Sequence, residues 1–125
     1  MRLVLLVSAT LAGIVHVLFF VLESFLFDKP AGRKAFGTTE PEAAAMKFLA
    51  FNQGFYNLFL ALGAFAGVAL VVCGREEAGR AIVGFACACM AGAAAVLATG
   101  GKKFARGVIA QSAAAVVALV ALALG

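Results

Sequence analysis

The stretch FLAFNQGFYNLFLALGAFAGVALVVC (residues 48–73) contains no charged residue and opens on a run of amides and aromatics. As a helix rising about 1.5 Å per residue, it is long enough to cross the roughly 30 Å of a bilayer's hydrocarbon. Read back through the less apolar residues before Phe48, the segment covers about 42–73. Three other segments have the same character, at about 3–27, 81–99 and 107–124. Backbone groups in lipid must bond within their own segment, so each reads as a helix. Strands are disfavoured, because the segments are too long and the second half shows no alternation of polar and apolar residues.

Composition supports this reading. The 125 residues are 65% hydrophobic and only 13% charged, with a mean hydropathy of +1.09. Soluble domains average about 45–50% apolar and about 25% charged. These values exclude a soluble globular domain, a disordered chain and a disulfide scaffold. The expected fold is all-α: a polytopic membrane protein, one domain over 1–125, built as an antiparallel four-transmembrane-helix bundle. Segment one is expected to be retained rather than cleaved as a signal peptide. It carries His16 and Glu23 and ends in Phe27 and Asp28 without a small-x-small cleavage pattern.

The connections set the topology. In the first, Pro30 and Gly32 are expected to stop helix one. Thr39 followed by Glu42 reads as a capping box, so helix two should start near Glu40. The second and third connections, 74–80 and 100–106, are short and polar, which makes sequential helices antiparallel neighbours. Lys29, Arg33, Lys34, Lys47, Lys102, Lys103 and Arg106 lie on one side, against Arg2, Arg75 and Arg80 on the other. This bias places connections one and three in the cytoplasm and both termini outside, in a cytoplasmic (inner) membrane. The net charge of +4 is scattered over interhelical segments rather than arranged as a stripe with aromatics, so no nucleic-acid partner is expected. The bilayer is the expected partner.

Cys73, Cys87 and Cys89 read as small apolar packing residues. Cys87 and Cys89, two apart on a helix, point about 200° apart and cannot share a metal. No metal and no cofactor are implied. Gly63 and Gly67, and Gly84, Ala88 and Gly92, form small-residue faces that allow close helix approach. Packing within the bundle is the main reading of these faces, and a homodimer is the minor one.

The chemistry lies in the first half. His16 and Glu23 are seven apart and fall within about 20° of one helix face. In helix two, Asn52 and Tyr56 share a face with Phe48 and Phe59, while Gln53 and Asn57 occupy the next strip. That arc spans about 140° and is expected to turn away from lipid. If helices one and two enter at Phe27 and Phe48, Glu23 is level with Asn52 and Gln53, and His16 with Phe59. The expected result is a polar cavity between the two helices, open to the cytoplasmic side. Glu23, Asn52, Gln53, Tyr56 and Asn57 would line it, with His16 at its base and Phe19, Phe20, Phe48 and Phe55 around it.

A carboxylate within a membrane span is costly and normally functional. Glu23 is therefore read as a proton or cation site, with His16 as a relay or ligand contact and the amides and Tyr56 as recognition groups. The leading function is binding or transport of a small molecule. The alternatives are an intramembrane acid/base enzyme on an apolar substrate, using Glu23 and His16, and an accessory protein whose polar cluster only fixes the bundle. No P-loop, GxGxxG, GxSxG or HExxH motif is present.

Two strings also carry a family resemblance. Glu23-Ser-Phe-Leu-Phe with Pro30-Ala-Gly-Arg-Lys-Ala-Phe-Gly, and Asn52-Gln-Gly-Phe-Tyr-Asn-Leu-Phe-Leu-Ala, resemble the small bacterial membrane proteins of domain-of-unknown-function family thirteen-oh-four. The similarity runs from helix one to the end of the chain, and the Asn-Gln-Gly-x-Tyr-Asn string is its specific part. Members usually place a Trp after the helix-one Glu, where this chain has Phe. The resemblance implies four spans and a site around Glu23, His16 and the Asn52–57 segment. It implies no reaction.

Overall fold

The computed structural model describes residues 1–125 as five helices. These are α1 (Arg2–Ser24), α2 (Pro30–Phe36), α3 (Glu40–Val72), α4 (Glu76–Ala98) and α5 (Ala105–Ala123), with a 3₁₀ turn at Lys102–Phe104 before α5. Four of them are long and apolar enough to cross a membrane: α1, α3, α4, and α5 with its preceding turn. This is the all-α, antiparallel four-span architecture expected from the sequence.

Helix boundaries follow local chemistry. The capping box forms as expected: the Thr39 N–H donates to Glu42 Oε2 at 2.8 Å, and the Glu42 N–H donates to Thr39 Oγ1 at 3.3 Å. Helix one ends at Ser24 rather than near Phe27. The Leu26 N–H reaches back to the Val21 carbonyl and the chain turns there. Pro30 therefore does not stop α1. It sits at the start of α2, where its missing N–H costs nothing. Gly32 does not stop α1 either. It is buried inside α2, where a Cβ would run into the Leu26 carbonyl. Gly37, at φ 64°, ends α2 in the left-handed conformation that glycine adopts without steric cost. α4 begins at Glu76, one turn earlier than the hydropathy suggests, so the second connection is only a tight turn.

The chain divides into two compact units, Met1–Val15 with Leu60–Gly125, and His16–Phe59. α1 and α3 each contribute to both. In the first unit the core is built mostly from alanine: Leu5, Ala9 and Ala12 of α1, Ala64 of α3, Val83, Ala86, Cys87 and Met90 of α4, and Ala115, Ala118 and Ala121 of α5. The α4 and α5 positions recur every three or four residues, so each helix presents one face. Neighbours run antiparallel. Arg2 lies beside Val71, Gly67 beside Val83, and Gly84 beside Leu122. The Gly63 and Gly67 face is spent inside the bundle, on Ala86 and on Val83 respectively. Two arginines close helix ends: Arg2 Nη2 donates to the Val71 carbonyl at 3.0 Å, and Arg80 Nη2 to the Leu122 carbonyl at 3.1 Å. Cys87 is a buried packing residue as expected. Cys73, at the turn, is exposed.

In the second unit, residues 16–24 of α1 run antiparallel to residues 40–59 of α3, and α2 closes one end. Phe27, Ala43 and Ala50 form its small core, with Phe36 packed against them. The Ser24 hydroxyl donates to the Phe51 carbonyl at 2.9 Å, so the end of α1 is level with Phe51. Residues 40–50 of α3 continue past that level.

The closest helix approach generates a prediction. A Cβ at Gly67 would lie 2.6 Å from Val83 Cγ2 and 2.9 Å from the Gly79 carbonyl oxygen, whereas nothing lies within 4 Å of the same position at Gly92. Gly67→Ile is expected to destabilise the bundle by about 1–3 kcal/mol, and Gly92→Ala to leave it unchanged. Thermal unfolding in mild detergent measures both.

Candidate functional site

The polar residues of α3 divide between two faces. Ala50, Gly54, Asn57, Ala61 and Ala64 are all buried and recur at intervals of three and four, which marks the inward face of the helix. Asn57 is the one polar residue in that row. Asn52 and Gln53 are exposed, and so is Tyr56, at 59%. The arc expected to turn away from lipid is thus split, with only one of its four polar members directed inward.

Asn57 meets α1. Its Nδ2 donates to Glu23 Oε2 at 2.8 Å. Asn57 is 4% exposed and Glu23 half-buried. A carboxamide donor holds the carboxylate in one orientation, and hydrogen bonds to charged groups are the stronger kind. On the register of the Ser24–Phe51 contact Glu23 is level with Asn52, but the amide that meets it comes from about one helical turn further along α3. The inward row passes through Gly54 and Asn57, so Asn57 reaches the carboxylate and the other two amides do not.

Two small residues that the sequence did not single out make this contact possible. Gly54 packs against α1 so closely that an added Cβ would strike the Ser24 hydroxyl and sit 3.0 Å from the Phe20 carbonyl oxygen. Ser24 uses its hydroxyl on the Phe51 carbonyl. The signal for both was present, since small residues at intervals of three and four, not hydropathy, mark a seam between helices.

His16 is fully buried and lies edge-on to Phe19, with ring centroids 5.8 Å apart. It shares the α1 face of Glu23, but seven residues separate the two positions by about 10 Å along the helix. On the other flank of the seam the phenylalanines form a continuous series. Phe20 meets Phe25 at 5.3 Å and Phe55 at 5.0 Å, and Phe55 continues to Phe51 at 5.1 Å and Phe59 at 6.4 Å. Edge-on and tilted arrangements of this kind suit the ring quadrupoles.

Beyond the end of α1, Lys47 Nζ donates to Asp28 Oδ2 at 2.8 Å and the two form an ion pair. That hydrogen bond, helped by the charges of Lys47 and Lys29, holds the Asp28 carboxyl below its ordinary value of 3.8. A carboxyl lowered by folding contributes stability above its ordinary value and loses it as pH falls through the lowered one. The Asp28–Lys47 contribution is therefore full at neutral pH and disappears only on strong acidification.

The model of a family described as a protein of unknown function (DUF1304) matches residues 10–123. No curated protein and no solved structure matches the chain.

The geometry separates the polar residues by the cost of losing them. Asn57→Ala removes the donor to a half-buried carboxylate and is expected to destabilise the protein by about 1–2 kcal/mol. Asn52→Ala and Tyr56→Phe, on the exposed face, should stay within about 0.5 kcal/mol. Unfolding in detergent across the series tests the assignment. Asp28→Asn should lower the neutral plateau of the stability–pH curve by the ion pair's contribution and flatten its acid limb, so that variant and wild type converge at low pH.

Proposed function

The chain belongs to the DUF1304 family of proteins of unknown function, and from a membership that assigns no activity we propose that this membrane protein binds or moves a small cationic molecule at Glu23. The observation that carries the reading is the Glu23–Asn57 hydrogen bond of 2.8 Å on a carboxylate that is half-buried rather than sealed. An ionisable group in a span is expensive to keep and normally marks a substrate or proton path. Here Asn57 is a positioning residue that fixes one oxygen. The carboxylate then carries either a proton or a cation. When a cation arrives the carboxyl releases its proton, and when the cation leaves it takes one up, so the site's charge balances over the exchange.

His16, buried two turns further along the same face of α1, extends the polar track toward the middle of the helix. The Lys/Arg bias orients the protein with connections one and three in the cytoplasm and both termini outside. The family resemblance points to a bacterial inner membrane. The acid/base enzyme reading is weaker, because the two candidate groups are about 10 Å apart along α1 and the carboxylate is engaged by Asn57.

One observation favours a second reading. Gly54, Ser24 and the Glu23–Asn57 pair all lie where α1 meets α3, an arrangement that would also serve as a purely structural clamp.

A lipophilic cation separates the two readings. Tetraphenylphosphonium binding to detergent-purified protein, and its uptake into proteoliposomes under a pH gradient, should fall at least tenfold in Glu23→Gln, with the helical circular dichroism unchanged. Equal binding and uptake in wild type and variant would overturn the exchange reading and leave the clamp.

A further inference from the structure

At the foot of α1 lies a recess of about 360 Å³, lined by Ser24 of α1 and by Ala44, Ala45, Lys47, Phe48 and Phe51 of α3. Neither Glu23 nor Asn57 lines it, so the recess is independent of any exchange at Glu23. The two alanines leave the space. Phe48, 77% exposed, and Phe51, 41% exposed, supply an apolar wall. The Ser24 hydroxyl is already spent on the Phe51 carbonyl. Lys47 is the lining side chain that still has protons to donate. An ammonium has three, and Asp28 takes one at 2.8 Å. That contact anchors the ammonium beside the recess while the rest of it stays open to solvent. Asp28, Lys29 and Lys47 act on one another electrostatically and together carry a single net positive charge.

The position of the recess matters as much as its lining. Ser24 is level with Phe51 at the end of α1. From Phe48 to its end α3 carries no charged residue, and before Phe48 come Lys47 and Glu42. The recess therefore straddles the level where a span gives way to charged residues, which is where a lipid's phosphate meets its acyl chains. A singly charged anion matches the net charge, and an apolar root matches the two phenylalanines. The geometry points to a site for one anionic phospholipid, with its phosphate on the Lys47 ammonium and the upper part of an acyl chain against Phe48 and Phe51.

The basic connection 100–106 is a built-in control. Lys102, Lys103 and Arg106 carry three charges, and no carboxylate side chain follows Glu77 in the sequence. That loop attracts any anionic surface, and its Lys103 ammonium rests over the Phe104 ring, 5.0 Å from the centroid, rather than on a carboxylate.

Native mass spectrometry of the full chain in mild detergent, titrated with phosphatidylglycerol or phosphatidylethanolamine, tests the site. The first phosphatidylglycerol should bind at least tenfold more tightly than phosphatidylethanolamine. Lys47→Gln should abolish that preference, and Lys102→Gln with Lys103→Gln should keep it. Ala45→Phe fills the recess at an exposed position without changing any charge. It should weaken the first phosphatidylglycerol at least tenfold with helical content unchanged, and it carries the test if Lys47→Gln misfolds. Inorganic phosphate in the same buffer should not displace the lipid. The proposal is overturned if the preference survives Lys47→Gln, if it is lost equally in the Lys102/Lys103 variant, if Ala45→Phe has no effect, or if phosphate alone competes.

Discussion

Hydrocarbon offers a backbone no hydrogen-bond partner, and the whole structure follows from meeting that condition within each segment. Four helices satisfy their own backbones, and their outward faces need an apolar solvent because the chain cannot cover them itself. Only 33%, 28%, 28% and 17% of the four span windows is buried inside the protein. In water such surfaces would aggregate. In a bilayer they are the contact surface, and little interior is needed. The core can then be made largely of alanine, because the driving force between helices in lipid is close packing rather than removal of apolar area from water.

That logic explains why the two units differ. Where α1, α3, α4 and α5 pack together, glycine and alanine let backbones approach, and Gly67 against Val83 and Gly79 shows how little room remains. Where only α1 and α3 pair, with α2 closing one end, the seam uses Gly54 and Ser24, and larger groups can stand beside it. The buried amide, the carboxylate and the phenylalanine series all belong to this second unit. Polar chemistry is placed where the helix count is lowest and side chains have space.

Glu23 shows how one hydrogen bond changes the standing of a charged group. Left alone near the end of an apolar helix, a carboxylate extends toward water. Here the Asn57 donor holds one oxygen against the seam, so the group is fixed and half-covered rather than mobile. Asp28 and Lys47, only a few residues away in the two helices' neighbourhood, form a different kind of contact: an ion pair outside the apolar part, where water screens both partners.

Much of this was legible from the residues alone. Composition and length determined four helices and their alternation, because no other backbone arrangement is stable in lipid at those lengths. The Thr39–Glu42 capping box was readable because its chemistry is local. Pairing Phe27 with Phe48 brought the right turns of helices one and two level, as the Ser24–Phe51 contact shows. What hydropathy could not supply was rotation about the helix axis. α3 is apolar nearly all round, so its polar residues alone do not say which side turns inward. The close approach at Gly54 decides it, carrying Asn57 in to Glu23 and leaving Asn52, Gln53 and Tyr56 outside. Sequence determined what each helix is made of and, through the capping box, where α3 begins, while the end of α1 and the start of α4 fell several residues from the bounds that hydropathy set. Only tertiary packing decided which face it presents, because that choice depends on how closely two backbones can meet.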